Sequence, residues 1–473
     1  MKERIFFKHE KLANKNNSQL FQIEKKTKIE SIPDAGGELT QIFQQLAEDK
    51  SWAFENLTQK DTSYATHGFH KYPAKFIPQL AKRCIEENTN TGEVICDPFM
   101  GCGTALIESL VSGRKAIGID INPVAYLISK AKATPISPDK LNNELNKLLS
   151  DLSSYFELKD KKQNTSSNMN IAALIPDNER IKYWFPDKKS REELGIILGR
   201  ISIIKDKDIH NFCLCAFSNI LKNTSIWLMK SIKPTRDFNK KIDAPMNLFS
   251  RQIKKMARGN EIYWNILPSQ VKDNIKIYLN LKKADARDIP IDDNSVGLIV
   301  TSPPYVTSYE YADLHQLAAL WLGYTKSINE FREGFIGSIH KKEFNPDGIK
   351  SRLAKQAVEE LSKKSKKECE AVRNYFFEMQ QCFEEMYRVL KPNGRACIVI
   401  GNTELKKVPI LNAEVFTEIM LNLGFKIHKI IKRSIPSKVL PQTRDSKTGR
   451  FTTTSGSDRL SYAYEYILIM EKL

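Results

Sequence analysis

Seven short hydrophobic runs along the chain have the length and composition of buried β-strands. The first five end at a polar residue or directly before one, as strands do where the chain leaves a sheet. The runs are Glu93–Asp97, Arg114–Asp120, Lys276–Ala286, Val296–Ser302, Gly394–Asn402, Lys426–Ile435 and Ala463–Lys472. Helical periodicity lies between most of them, notably at Thr104–Ser112, Val124–Ala131 and Ala371–Leu390. This alternation predicts an α/β fold with a doubly wound, mostly parallel sheet.

The last two strand-like runs differ from the others in what joins them. Residues 437–460 are rich in Thr, Ser, Gly and Lys and carry no convincing helical pattern. A loop without a crossover helix suits antiparallel neighbours rather than parallel ones. We therefore expect these two runs to form a β-hairpin at the edge of the sheet.

Two segments exceed what a minimal sheet of this kind needs. Residues 1–60 are polar and lysine-rich, then weakly helical, and are predicted to be an N-terminal extension. Residues 136–275 carry helical patterns between the second and third strands and are predicted to be an insertion. The sheet is therefore expected to be built from residues 61–135 and 276–473.

The chain is strongly basic. Its 473 residues include 73 Lys and Arg against 56 Asp and Glu, a net charge of +17. Such an excess favours a polyanionic partner, because lysines and arginines that neutralise phosphates release counterions. A soluble basic protein with no such partner has the same composition, so charge alone leaves both open.

The eight cysteines are scattered and show no spacing typical of a zinc site. We accordingly expect no bound metal. No apolar run approaches the length that crosses a bilayer, and the first residues lack the apolar core of a signal peptide. These features predict a cytoplasmic protein with reduced thiols and no membrane partner.

The turn after the first predicted strand contains the first candidate chemistry. It begins at Asp97, contains Gly101 and Gly103, and runs directly into a helix whose free N–H groups face a ligand. The glycine pattern of a pyrophosphate site is incomplete, because Leu106 occupies its third position. Asp120 nevertheless ends the second strand, where a carboxylate accepts hydrogen bonds from ribose hydroxyls. S-adenosylmethionine has a ribose and no pyrophosphate and fits this pattern, although a tight turn without a ligand would also contain the glycines.

The second candidate site is Ser302-Pro303-Pro304-Tyr305, at the end of the fourth predicted strand. The exocyclic amino group of a base is a poor nucleophile, because its lone pair is delocalised into the ring. Acceptors for its hydrogens favour attack on a methyl sulfonium, and the Pro303 carbonyl and Ser302 hydroxyl can supply them. Tyr305 offers a face on which a base can stack. A Pro-Pro turn that merely ends a strand would have the same sequence. Doubly wound sheets, however, bind their ligands at the carboxyl ends of the strands, where this segment is predicted to lie.

Two segments closely resemble the motifs of the amino-methylating DNA methyltransferases. Asp97–Thr104 resembles the family's DPFxGxGT cofactor motif, and Thr301–Tyr305 resembles its (D/N/S)-P-P-(Y/F/W) catalytic motif. Lys71–Pro78 is similar to the segment that folds over the methionine part of the cofactor. The resemblance covers about 60–145 and 280–473 and implies a Rossmann-like, seven-stranded methyltransferase sheet with a C-terminal hairpin and a helical insertion.

The resemblance also implies roles for individual residues. It implies that Asp120 binds the cofactor ribose and that Asp285, at the end of the third predicted strand, binds the adenine amino group. The implied cofactor-binding residues are Phe76, Asp97, Phe99, Gly101, Gly103, Thr104, Asp120 and Asp285. The implied catalytic residues are Ser302, Pro303, Pro304 and Tyr305. On this basis, 61–135 is the cofactor-binding half of the catalytic domain, and 276–473 is its catalytic half.

The first residue of the catalytic motif bears on which base is methylated. In this family, serine is found mostly in cytosine-N4 enzymes, whereas Asp or Asn is typical of adenine-N6 enzymes. Ser302 therefore favours cytosine-N4 methylation, with adenine-N6 as the alternative. A tRNA guanine-N2 methyltransferase is a further alternative, but usually has Asp-Pro-Pro-Tyr and a larger N-terminal domain than residues 1–60. The last alternative is a catalytically inactive DNA-binding relative.

Double-stranded DNA is the expected partner, with the target base flipped out, because an amino group inside a duplex cannot be reached. The insertion is a candidate recognition region: residues 222–258 contain ten Lys and Arg against two Asp. Residues 325–370 and 437–460 are other candidates. The candidate nucleic-acid contacts are Lys230, Lys233, Arg236 and Arg444. The implied setting is restriction-modification or a related defence system, with a restriction endonuclease as a possible partner.

Overall fold

A computed structural model describes residues 35–73, 75–160, 173–231, 233–306, 311–337, 348–435, 443–444, 451–452 and 464–473. The chain divides into two units, residues 1–45 and 46–473. In the first unit the described part is helix α1, Ala35–Gln45. The second unit contains the sheet and the remaining helices.

Seven of the described strands form one sheet. In chain order they are β1 Val94–Asp97, β2 Lys115–Ile119, β3 Leu279–Lys282, β4 Val296–Thr301, β5 Leu390–Ile400, β8 Phe425–Ser434 and β11 Tyr464–Lys472. Their order in the sheet is β3-β2-β1-β4-β5-β11-β8. The first five run parallel, and β11 is antiparallel to both β5 and β8. The predicted fold class is confirmed, as is the antiparallel pair at the sheet edge.

Four further strands form two short antiparallel pairs. They are β6 Thr403–Leu405, β7 Val408–Ile410, β9 Thr443–Arg444 and β10 Phe451–Thr452.

The helices of the second unit cover the sheet and fill the span between β2 and β3. They are α2 Pro78–Asn88, α3 Thr104–Val111, α4 Pro123–Ala133, α5 Pro138–Asp160, α6 Glu179–Trp184, α7 Lys188–Ser202, α8 Lys207–Thr224, α9 Pro245–Ile266, α10 Ser269–Asp273, α11 Ile275–Tyr278, α12 Tyr311–Trp321, α13 Ile328–Arg332, α14 Arg352–Ser362, α15 Lys366–Val389 and α16 Asn412–Asn422. Short 3-10 helices lie at Lys50–Trp52, Asp61–Ser63 and Ala65–Gly68.

The helices between β2 and β3 share a hydrophobic core with helices that flank the sheet. Phe212 of α8 and Ile253 of α9 belong to the same buried cluster as Ile128 of α4 and Trp321 of α12. Burial of such large apolar side chains stabilises the fold by roughly 1.5–3 kcal/mol each. This shared core places the helical segment beside the carboxyl edge of β4, since α12 follows β4 in the chain.

The third strand is shorter than the sequence predicts. Instead of Lys276–Ala286, the strand covers Leu279–Lys282, and Ile275–Tyr278 is a helical turn. The reason is the length of its neighbour: β3 pairs with β2 only from Ala116 to Ile119, so no partner extends the ladder. Asp285 consequently lies three residues beyond the strand rather than at its end.

The fifth strand also differs at its bounds. It begins at Leu390 and ends at Ile400, so Asn402 lies in the following turn and not in the strand. The side-chain amide of Asn402 explains its position outside the strand. Its Oδ1 accepts from the Ala413 N–H at 2.9 Å, and its Nδ2 donates to Glu414 at 2.7 Å. Asn402 therefore stabilises the start of α16.

Candidate active site

A cavity of about 560 Å³ opens at the carboxyl edge of the central strands, a volume within the usual range for small-molecule sites. The ends of β1, β2 and β4 meet there because these strands are parallel neighbours. Eleven of the residues singled out in the sequence line it: Phe76, Asp97, Phe99, Gly101, Thr104, Asp120, Lys233, Asp285, Ser302, Pro304 and Tyr305. Gly103, Pro303, Lys230 and Arg236 are outside the lining.

The turn after β1 is shaped by two glycines with left-handed backbone. Gly101 has φ +48° and Gly103 has φ +77°. A Cβ at position 101 would lie 3.2 Å from the Tyr72 ring, and one at 103 would lie 3.0 Å from the Ser129 hydroxyl oxygen. The Ser129 hydroxyl also donates to the Gly101 carbonyl at 2.9 Å, which fixes the turn against α4. Gly103 is the N-cap of helix α3, which begins at Thr104.

Asp97 connects the turn to the strand that carries the second motif. Its side chain is almost fully buried, and its Oδ1 accepts from the Thr301 hydroxyl at 2.6 Å and the Phe99 N–H at 3.1 Å. Burial raises the pKa of Asp97 to about 7, although these two hydrogen bonds act to lower it. The Asp97 carboxylate therefore connects the Asp97–Thr104 motif to the Thr301–Tyr305 motif.

Asp120 follows β2 and borders the cavity. Its Oδ2 accepts from the Gly101 N–H and its Oδ1 from the Asn122 N–H, both at 2.9 Å. Burial raises the pKa of Asp120 to about 6, and these backbone hydrogen bonds oppose that rise. A carboxylate oxygen can accept two hydrogen bonds, so each oxygen of Asp120 has capacity left for a ribose hydroxyl.

The motif at the end of β4 is held from two sides. The Tyr375 hydroxyl donates to the Pro304 carbonyl at 2.8 Å, and the Tyr305 hydroxyl donates to Glu465 Oε1 at 2.9 Å. Ser302, Pro304 and Tyr305 face the cavity, whereas Pro303 is buried. Tyr375 and Glu465 were not predicted, because they are distant in sequence and carry no motif.

Asp285 lies within a partly buried charge network. Arg287 Nε donates to the two carboxylate oxygens of Asp285 at 2.9 and 3.1 Å, and its Nη1 contacts Glu378. Glu378 Oε2 in turn accepts from the Gly337 N–H at 2.6 Å, and Arg287 also donates to the Gly334 carbonyl at 3.2 Å. The network fixes residues 334–337, which form one wall of the cavity.

Further cavity residues were not among the individual site residues named from the sequence. They are Tyr72, Lys75, Tyr311, Arg332, Phe335 and Tyr375. Tyr72 and Lys75 belong to the Lys71–Pro78 segment, so that resemblance was the available signal for them. Arg332 is fixed by Asp313, whose Oδ1 accepts from its Nη2 at 2.6 Å.

The candidate nucleic-acid residues are placed differently from one another. Lys233 lines the cavity, whereas Arg236 stacks its guanidinium 3.9 Å from the centroid of the Tyr183 ring. Lys230 is exposed. Arg444 lies in strand β9, and its side chain is outside the described part of the structure.

The described ranges also bear on metal binding and on membrane spanning. Among those residues no cluster of His, Cys, Asp or Glu has an arrangement that could hold a metal ion. None of the helices placed there combines the length and apolar character needed to cross a membrane.

The sheet, the glycine turn and the acid after β2 together fit an S-adenosylmethionine-dependent methyltransferase. The sequence pattern of the DNA methylase family of N6/N4 amino methyltransferases matches residues 2–131 and 296–473. The chain belongs to this family. Its members use S-adenosylmethionine as methyl donor, and the residues around Gly101 and Asp120 suit its ribose.

Several curated proteins are similar to this chain. The type II methyltransferase M.MvaI of Kocuria varians is 27% identical over 429 residues, covering 86% of this chain and 92% of its own length. M.BsoBI of Geobacillus stearothermophilus is 22% identical, covering 79% of this chain and 81% of its own length. The DNA adenine methyltransferase YhdJ of Escherichia coli is 37% identical over only 59 residues, which is 12% of this chain and 20% of its own length.

Among solved structures, a DNA modification methylase from Thermus thermophilus complexed with S-adenosylmethionine is 18% identical. The match covers 40% of this chain and 53% of that chain, with a TM-score of 0.21.

Proposed function

We propose that this DNA methyltransferase transfers the methyl group of S-adenosylmethionine to the N4 amino group of cytosine in a specific DNA sequence. The observation that supports the choice of base is Ser302, which borders the cavity directly after β4. Serine at this motif position is typical of the cytosine-N4 members that the motif resembles. We further propose a role in restriction-modification or a related defence system, with a cognate endonuclease as partner.

The proposed cofactor site uses the residues around the glycine turn. Asp120 would accept hydrogen bonds from the ribose hydroxyls, and Asp285 would accept from the adenine amino group. Phe76 and Phe99 would contact the cofactor as cavity-lining rings. The turn itself, with Asp97, Gly101, Gly103 and Thr104, would hold it against the start of α3. When bound, S-adenosylmethionine supplies an electrophilic methyl group on a sulfonium.

The proposed catalytic residues act on the target amino group. The Ser302 hydroxyl and the Pro303 carbonyl would accept its hydrogens, so that the nitrogen becomes more tetrahedral and more nucleophilic. Pro304 would keep the backbone of the motif in place, because Tyr375 holds its carbonyl. Tyr305 would stack on the flipped base, with its hydroxyl held by Glu465.

The proposed substrate is double-stranded DNA with the target base flipped into the cavity. Lys230, Lys233, Arg236 and Arg444 remain the proposed nucleic-acid contacts, and residues 136–275 the proposed recognition insertion. Lys233 supports this placement because its side chain already borders the cavity that would receive the base.

The choice of base is tested by nucleoside mass spectrometry of DNA from cells that express the full chain. We expect N4-methylcytosine with the natural protein and none with Ser302→Ala. Ser295→Ala is the matched control, because Ser295 precedes the same strand at the opposite edge, where its hydroxyl donates to the Asp292 carbonyl. N6-methyladenine as the sole product would overturn the cytosine proposal while leaving the family assignment intact.

Adenine-N6 methylation is the second candidate. The similarity over 59 residues to an enzyme named as a DNA adenine methyltransferase favours it. The same mass-spectrometric measurement decides between the two bases, since each methylated nucleoside has its own mass and retention time.

A further inference from the structure

Residues 226–228 and 235–237 form a short antiparallel ladder beside the cavity. The Leu228 N–H donates to the Thr235 carbonyl at 2.8 Å, and the Asp237 N–H donates to the Ile226 carbonyl at 2.7 Å. The ladder is anchored by Trp227, which is buried and stacks on Trp184 with ring centroids 4.8 Å apart. A buried, stacked tryptophan makes this ladder a rigid support for its exposed side chains.

The exposed side of the ladder carries a cation in contact with two aromatic rings. The Arg236 guanidinium carbon lies 3.9 Å from the centroid of the Tyr183 ring and 4.8 Å from that of Phe238. Tyr183 is 45% exposed and Phe238 is 70% exposed, an unusual placement for large apolar rings. Packing within the chain therefore does not explain an apolar ring at position 238, whereas contact with a partner that covers the ring would.

Arg236 makes no ion pair with any acidic side chain in the described part of the chain. Its guanidinium lies close to both rings, and no acidic side chain there occupies its N–H groups. An arginine presented in this way is pre-organised for two parallel hydrogen bonds to a planar acceptor pair. In the major groove, guanine offers such a pair through O6 and N7.

The position of the ladder relative to the cavity sets which base Arg236 could reach. Lys233 lines the cavity and is three residues before Arg236. Three residues of extended chain span at most about 10 Å. That distance corresponds to about three base steps along one strand of a duplex.

We propose, resting on the proposed function, that Arg236 reads a guanine close to the target base. Tyr183 and Phe238 hold the guanidinium in the plane that this contact needs. Lys230 and Lys233 contact phosphates of the same DNA segment. The ladder is thus a specificity element, and the cavity beside it receives the flipped base.

The test maps every modified position in DNA from cells expressing the full-length protein or a variant. We expect Arg236→Ala and Arg236→Lys to relax the modified consensus at one base pair, with discrimination there reduced about tenfold or more. Phe238→Ala should relax the same position. Lys230→Ala with Lys233→Ala should leave the consensus unchanged and lower modification at all sites, because phosphate contacts carry no sequence information.

Arg251→Ala is the matched control, because Arg251 is an exposed arginine of the same segment that pairs with Asp243 at 3.0 Å instead of stacking. Its consensus should equal that of the natural protein. Thermal unfolding and S-adenosylmethionine binding of each purified variant show whether it is folded. If Phe238→Ala fails to fold, Phe238→Leu takes its place. An unchanged consensus for folded Arg236 variants, or a uniform loss at all positions, would overturn the inference. Absence of any modified base with the natural protein would instead refute the proposed function.

Discussion

Thr301 donates its hydroxyl to the Asp97 carboxylate at 2.6 Å, joining residues that are 204 positions apart in the chain. Thr301 is the last residue of β4 and Asp97 is the last residue of β1. The hydrogen bond therefore connects the two motifs at the points where each leaves the sheet. Both side chains are buried, which makes the loss of either partner costly. The relative position of the cofactor turn and the catalytic motif depends on this contact.

Replacement of Thr301 by Val should therefore weaken both stability and cofactor binding. Val has nearly the same shape but no donor, and it leaves a buried carboxylate with one fewer hydrogen bond. We expect a loss of about 1–3 kcal/mol in the free energy of unfolding. Urea unfolding and calorimetric binding of S-adenosylmethionine measure the two effects. Thr301→Ser retains the hydroxyl and should lie much closer to the natural protein; equal effects for Val and Ser would refute the role of this hydrogen bond.

Stability should fall with pH through the raised pKa values of the two cavity aspartates. The pKa is about 6 for Asp120 and about 7 for Asp97 in the folded protein, against about 3.9 in an unfolded chain. The folded state thus holds these protons more tightly, so their contribution is full below about pH 4 and is lost as pH rises through about 6 and 7. Each group changes the free energy of unfolding by at most about 1.4 kcal/mol per pH unit in that window.

Urea unfolding of the ligand-free protein between pH 4 and pH 8 checks this dependence. Asp120→Asn should flatten the curve between about pH 4 and 6, and Asp97→Asn should flatten it between about pH 4 and 7. Asp139→Asn, at an exposed position in the first turn of α5, is the control and should leave the curve unchanged. Curves of identical slope for all four proteins would contradict the prediction.

Gly103→Ala should disrupt the cofactor turn. Gly103 has φ +77°, and an added Cβ would lie 3.0 Å from the Ser129 hydroxyl oxygen and 3.3 Å from its Cα. The left-handed backbone alone costs roughly 1–2 kcal/mol for a residue other than glycine. Contact with Ser129 adds to it, and the helix that begins here should shift away from the cavity.

Gly92→Ala separates those two contributions. Gly92 has φ +87° and no atom within 4 Å of the added Cβ, so it bears the backbone cost without the contact. The midpoint temperature of thermal unfolding and the affinity for S-adenosylmethionine should both fall further for Gly103→Ala than for Gly92→Ala. Indistinguishable values would show that packing against Ser129 has no effect.

Glu465 should act as a positioning residue for Tyr305. Its Oε1 accepts from the Tyr305 hydroxyl at 2.9 Å, and it belongs to β11, which pairs with β5 beside the motif. Glu465→Ala removes the acceptor, and a small displacement of the ring proposed to stack on the base should lower kcat by about 10- to 100-fold. Glu465→Gln keeps an acceptor and should retain most of the activity.

Steady-state methylation of DNA distinguishes positioning from a role in cofactor binding. The dissociation constant for S-adenosylmethionine should stay unchanged in both Glu465 variants, while kcat falls only in the Ala variant. Equal losses for Ala and Gln would instead indicate that the negative charge, rather than the hydrogen bond, matters.

Features that depend on the local order of residues could be predicted. Asp97 and Asp120 were predicted to end buried strands, and the structure places both at the cavity. The turn containing Gly101 and Gly103 likewise follows from its residues, since glycine tolerates left-handed backbone. Hydrophobic periodicity also predicted the parallel sheet and the final antiparallel pair, because both patterns are contained in short stretches of chain.

Features that depend on neighbours in space could not be predicted. The length of β3 is limited by its pairing with β2, so the prediction for Lys276–Ala286 was wrong at both ends. Likewise, Arg287 meets Glu378 across 91 residues, and Tyr375 meets the Pro304 carbonyl across 71. No local pattern marks these partners.

The sequence by itself thus determined the order of the sheet strands along the chain, the glycine turn and the chemical character of the Ser302–Tyr305 segment. Each of these arises from interactions within a few residues, where propensity and periodicity suffice. Tertiary structure alone decided how the motifs are held, through Thr301, Tyr375 and Glu465, and brought Lys233 to the cavity. The physical reason is that hydrogen bonds and packing between distant segments depend on which elements the fold makes adjacent.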